Sequence, residues 1–201
     1  MHVRMSTSEG ATDIDAIVVH LRDQVLRKVK EQRGFRGITA SADRAAGVIS
    51  VLTLWETEGD LEASEAIAND VRQKAMEATG GRVQQVQAFE QLVWETAENP
   101  PGPGCPLLVT PVKMDPARVD DNIAFFRSNV LPDIKATPGF RAVRNMMNRQ
   151  TGEGMVGTVW DDEASLEKSL AQFAERRPLG EARGVEFGEP FRREIIFVGQ
   201  T

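Results

Sequence analysis

Apolar residues return at every third or fourth position along two stretches of the chain. They are Ile14, Val18, Leu21, Val25 and Val29 in one, and Val119, Ile123, Phe126, Val130 and Ile134 in the other. That spacing predicts a helix in each stretch with one buried stripe. A short apolar or alternating segment precedes each stripe, Val3–Ser6 and Leu107–Val112, and a strand-like run follows each, Phe35–Ala42 and Phe140–Asn148. Turn-rich DRAAG and NRQTGEG then lead into ISVLTLW and MVGTVW, a hairpin pattern whose second strand stops at Trp55 or Trp160. Acidic residues directly after each tryptophan suit a helix N-terminus. Leu61 and Leu166 open a second amphipathic helix, and Val86–Trp94 and Phe191–Val198 read as closing strands. Each half is predicted to run strand, helix, strand, strand, helix, strand, the order of a ferredoxin-like unit.

The two halves also match residue by residue. Shifted by 105 residues, GFR at 34–36 meets GFR at 139–141, and 16 of the 43 positions from Arg22 to Ser64 are identical to their partners, against about 3 by chance. The shared positions include Gly34/Gly139, Phe35/Phe140, Thr53/Thr158, Trp55/Trp160, Leu61/Leu166 and Ser64/Ser169. Between the copies lies TAENPPGPGCP, whose four prolines and two glycines mark a semi-extended linker. The organisation read from this is a first repeat over 1–95, a linker over 96–106 and a second repeat over 107–201. A four-stranded sheet with helices on one face leaves its other face to be covered, and the second copy is the natural cover. The expected fold is therefore α+β, two tandem βαββαβ units forming a barrel-like pseudo-dimer in one chain, with room for a further homodimer.

Composition narrows the function. The chain has 201 residues with 24 Lys plus Arg against 30 Asp plus Glu, a net charge of -6, which argues against nucleic acid and anionic membrane surfaces as partners. One cysteine, Cys105, forms no internal disulfide, and two histidines with that single thiol leave too few soft ligands for a structural zinc site. No apolar signal core stands at the N-terminus. These features lead to the expectation of a cytoplasmic protein with no metal and no cofactor.

The element order, the glycine-phenylalanine junctions RGF at 33–35 and PGF at 138–140, and the segments WETEGDLEAS and WDDEASLEKS resemble the antibiotic biosynthesis monooxygenase-like family of dimeric α+β barrels. The resemblance covers both copies. It implies one of several activities: cofactor-independent oxygenation of aromatic polyketides, haem degradation, isomerisation, or ligand binding without catalysis. The haem-degrading branch carries a histidine nine or ten residues after the tryptophan, where this chain has Ser64 and Glu65, or Ser169 and Leu170. The oxygenating branch often uses tyrosine, and this chain has none. The expectation is a monooxygenase-like protein acting on a small aromatic or polyketide-like molecule, with a non-catalytic ligand-binding or scaffold protein as the alternative.

Five residues stand out as pocket candidates. The resemblance implies that Trp55 and Trp160 border a helix–sheet cavity, against the competing reading of plain core packing. His20, beside the first stripe, is the histidine placed to act as a base near neutral pH. Phe125 occupies the matching position in the second copy, and with Met146 and Met155 it suggests a softer, roomier pocket beside Trp160. Asn145 alternates with Val143 and Met147 inside a strand, where a polar group needs a partner.

Overall fold

The computed structural model describes residues 1–200, apart from the side chains of 78 and 79. The first apolar stripe folds as one helical run in three segments: α-helix Ile14–His20, a π-helical turn Leu21–Val25, and α-helix Leu26–Lys30. Its buried positions are Ile14, Ile17, Leu21, Val25 and Val29, so Ile17 takes the place expected for Val18, which is only half-buried. From Ile17 onward each buried residue comes four after the last. In a 3.6-residue helix every such step overshoots a full turn by about 40°. The wider i→i+5 turn absorbs part of that drift and keeps the stripe on one face. The second stripe repeats the device with Val119–Phe125, a π turn over Phe126–Val130, and Leu131–Ala136.

The strands are β1 His2–Glu9, β2 Phe35–Asp43, β3 Val48–Trp55, β4 Arg82–Thr96, β5 Pro106–Lys113, β6 Phe140–Met147, β7 Glu153–Trp160, β8 Glu186–Phe187 and β9 Phe191–Gln200. The pairs β1–β3, β2–β3, β5–β7 and β6–β7 are all antiparallel. Helices Glu58–Ala63 and Glu65–Thr79 follow β3, and helix Glu163–Glu181 follows β7. This is an α+β chain. Among the described residues no helix is long and apolar enough to cross a membrane.

The chain divides into two units that cut across the repeat boundaries read from sequence. Unit one comprises Met1–Ala88, Gly102–Gly104 and the residues from Glu194 on, and unit two comprises Phe89–Pro101 and Cys105–Arg193. The cause lies in the two long closing strands. The part of β4 from Glu90 pairs with β6, and the part of β9 from Glu194 pairs with β2. Each unit therefore takes in a strand segment that lies far in sequence from most of its other residues. Phe197 and Ile196 enter the core of unit one beside Ile38, Ala40 and Trp55, and Val93 enters the core of unit two beside Val143 and Trp160.

The glycine-phenylalanine junctions anchor both tryptophans. Gly34 has φ +75° and Gly139 φ +83°, a left-handed conformation that glycine adopts without strain. A Cβ at either place would also collide with the following helix, at Asp60 or Ser165. The next residue then meets the tryptophan edge-on, Phe35 against Trp55 at 5.5 Å and Phe140 against Trp160 at 6.0 Å between ring centroids. Thr57 and Asp162 cap the helices beyond by accepting from the amides of Asp60 and Ser165.

Candidate functional site

Each unit contains a cavity between its sheet and its helices. The first has a volume of about 90 Å³ and the second about 120 Å³. Period-two alternation on the strands and the π-helical runs supply the walls in both cases: Leu21 and Val25 face the first cavity, Phe126 and Val130 the second.

The strand registers align the two floors row by row. In unit one Ser6 lies across from Val51, which lies across from Ala40, and Arg4 across from Thr53, then Ile38. In unit two Thr110 lies across from Val156, which lies across from Asn145, and Leu108 across from Thr158, then Val143. Of the four differences between these rows, two change the chemistry of the floor. Where unit one has Arg4, unit two has Leu108, and where unit one has Ala40, unit two has Asn145.

The first cavity pairs its polar groups internally. Arg4, 3% exposed, donates to Ser64 Oγ at 2.8 Å and to the Leu61 carbonyl at 2.5 Å, and forms an ion pair with Glu65 at 2.8 Å. Glu65 also pairs with Arg72 at 2.6 Å, and Thr7 shares a hydrogen bond with Ser50 at 3.1 Å. Burial is the main cause that lowers the Arg4 pKa, and Glu65 opposes it. His20 lines this cavity half-buried, and burial, followed by the charge of Lys28, lowers its pKa. The lowered pKa favours the neutral imidazole, which can accept a proton.

The second cavity leaves polar groups open. Asn145 is 4% exposed and lines the cavity, and its Oδ1 is buried with no hydrogen-bond partner. A buried acceptor in that state costs about 1–3 kcal/mol. Three arginines from helix Glu163–Glu181 and the turn after it line the same cavity. Arg177 pairs with Glu181 at 2.8 Å, and Arg183 donates to Asn122 Oδ1 at 3.1 Å while stacking 4.4 Å over the Phe125 ring. Arg176 makes no hydrogen bond or ion pair among the described residues. Burial lowers its pKa, while Asp133 and Glu175 oppose the shift from longer range. The remaining walls are largely aliphatic and aromatic, with Phe173 and Phe187 edge-to-face at 5.4 Å.

The sequence candidates thus separate. Trp55 and His20 line the first cavity, and Asn145 and Phe125 line the second. Trp160 is 0% exposed in the core, and the described lining of the second cavity does not include it. Both indole N–H groups are already bonded, Trp55 to Thr53 Oγ1 and Trp160 to Thr158 Oγ1, each at 3.0 Å. Met146 and Met155 pair with each other across β6 and β7 and do not appear in either described lining. The softness expected beside Trp160 comes from Phe126, Phe173 and Phe187 instead. Arg176 and Arg183 escaped the sequence reading, although the run AERRPLGEARG held the signal: five charged residues around a helix end.

No family model matches the chain. An uncharacterized protein of Mycobacterium tuberculosis is 26% identical over 196 residues, covering 94% of this chain and 85% of that protein. Among solved structures, an anthrone oxidase-like protein superposes with a TM-score of 0.65 at 16% identity, over 98% of this chain and 92% of that one. A heme-degrading enzyme from Listeria monocytogenes superposes with a TM-score of 0.55 at 9% identity, over 96% and 99%. These likenesses show an α+β fold that the chain shares with both solved structures. A haem ligand is another matter, since Ser64 and Glu65 stand at the expected histidine place in unit one and both are held by Arg4. Ser169 and Leu170 stand there in unit two, and neither is an iron ligand.

Proposed function

We propose that the chain is a monooxygenase-like protein that holds a small aromatic or polyketide-like molecule in the cavity of unit two. The unpartnered, buried Oδ1 of Asn145 carries this reading, because an apolar cavity with one orphaned acceptor is arranged for a ligand that brings an O–H or N–H donor. The cavity arginines add positive charge that stabilises a substrate phenolate or enolate. In the cofactor-free reaction the substrate anion gives electrons to O2, and a CH2 group becomes C=O with release of one water. Duplication of a ferredoxin-like unit accounts for the paired elements, and a cytoplasmic location suits the lone cysteine.

Binding without turnover is the second reading. It is favoured by the described lining of the second cavity, which offers Asn, Thr, Ser and Arg but no histidine or carboxylate to take the proton.

Oxygen uptake with a panel of anthrones and quinols tests the reading, using Val156→Phe to fill the second cavity and Val51→Phe to fill the first. Uptake that Val156→Phe abolishes and Val51→Phe leaves intact supports the proposal. Ligand binding sensitive to Val156→Phe with no uptake supports the second reading.

A further inference from the structure

The second cavity presents two groups of different chemistry that no other described side chain or backbone group pairs with directly. One is a neutral acceptor, Asn145 Oδ1, buried on the sheet floor. The other is a cation, Arg176, on the facing helix Glu163–Glu181, with no hydrogen bond or ion pair among the described residues. The matching floor position in unit one carries Ala40, and both guanidinium groups in that cavity are engaged, Arg4 with Ser64, Leu61 and Glu65, and Arg72 with Glu65. The open pair therefore belongs to unit two alone.

Size limits what can fit between these groups. A dry apolar cavity of roughly 150 Å³ holds one benzene ring, and this one measures about 120 Å³. One ring fills its enclosed part, and the further rings of an anthrone would lie at its open mouth, beside the exposed Leu179. Aromatic walls from Phe126 and Phe173 suit the faces and edges of that ring. A free guanidinium is a planar fork that matches a carboxylate in bidentate geometry. The phosphate alternative brings up to two charges to a cavity whose other arginines are already engaged by Glu181 and Asn122.

From this we infer that the cavity of unit two takes a single-ring aromatic acid, its carboxylate on Arg176 and a ring hydroxyl donating to Asn145 Oδ1. This rests on the reading of the cavity as the ligand site and names the class of ligand.

Calorimetric titration of the full chain with the three hydroxybenzoate isomers, benzoate and phenol tests it. At least one hydroxybenzoate binds about 10-fold or more tighter than phenol, which lacks the carboxylate, and tighter than benzoate, which lacks the hydroxyl. Arg176→Met weakens that hydroxybenzoate by about 10- to 100-fold and leaves phenol unchanged. Asn145→Val weakens the hydroxybenzoate and phenol and leaves benzoate unchanged. Should Asn145→Val fail to fold, the Arg176→Met comparison decides alone, since that residue is half-buried on a helix. Phenol binding as tightly as every hydroxybenzoate, or Arg176→Met without effect, overturns the acid while leaving an aromatic site. If none of the five compounds binds, the ligand-site reading itself fails.

Discussion

Trp160 donates its indole N–H to the hydroxyl of Thr158, two residues earlier on the same strand, at 3.0 Å. Trp55 and Thr53 repeat the contact at the same distance. With the donor occupied inside the strand, the indole of Trp160 has no further hydrogen bond to offer a ligand.

Trp160→Phe is therefore expected to destabilise the protein by about 1–2 kcal/mol, through the lost hydrogen bond and the volume removed. Ligand affinity in the second cavity stays the same. Chemical denaturation and a binding titration on the same sample check this, and a large loss of affinity at unchanged stability would return the tryptophan to the site.

Asn145→Val is expected to raise stability by about 1 kcal/mol, because it replaces an orphaned buried acceptor with an apolar side chain on a β-strand. A urea midpoint that rises would show that the asparagine is kept at a cost to the fold. A midpoint that falls by more than 1 kcal/mol equivalent would show that Oδ1 has a partner in solution.

Arg4→Leu places in unit one the residue that unit two has at the matching row. It removes the partner of Ser64, the Leu61 carbonyl and Glu65, and costs about 2 kcal/mol; Glu65, 45% exposed, is rehydrated and limits the loss. A thermal melt reads the change, and a neutral outcome would mean that the network contributes nothing net.

Burial, then Lys28, lowers the His20 pKa from its usual 6.5, and Arg4 and Arg72 line the same cavity. As pH falls through about 6.5 the unfolded chain takes up a proton before the folded one, so this residue erodes stability on the acid side and is silent above it. His20→Gln is expected to gain on the parent between about pH 6.5 and 5 and to keep a constant difference from pH 7 to 8. Stability curves for both proteins across that range check the sign. A gain by the parent at acid pH would mean that the histidine finds a carboxylate on folding.

Much of the architecture was legible in the residues. The spacing of Ile14, Leu21, Val25 and Val29 located the first helix, and the shared GF and Trp positions located the strand ends and the turns between them. The π turns were not legible as such, although the repeated four-residue steps through Leu21 and Val25 are their imprint. Pairing of Val93 with Asn145, and of Phe197 with Ala40, lay beyond local pattern, since no periodicity states which distant strand a segment will join. At the site, strand parity put Asn145 correctly on the face of Val143 and Met147, while the same parity sends Met146 to the other face and out of the cavity. Arg176 was hidden because a helix-borne arginine among other charges reads as solvated surface. Only the fold reveals that its neighbours are otherwise paired.

The cavity of unit two, and not that of unit one, is the proposed seat of a small aromatic molecule. Methyl NMR during a titration with phenol tests it most directly, because each cavity has its own reporters. Saturable shifts are expected at Leu108, Val156 and Ile123, which line the second cavity, with Ile17, Val25 and Ile49 of the first left unmoved. Saturable shifts confined to Ile17, Val25 and Ile49, or no shift in either set up to the solubility of the ligand, would contradict it.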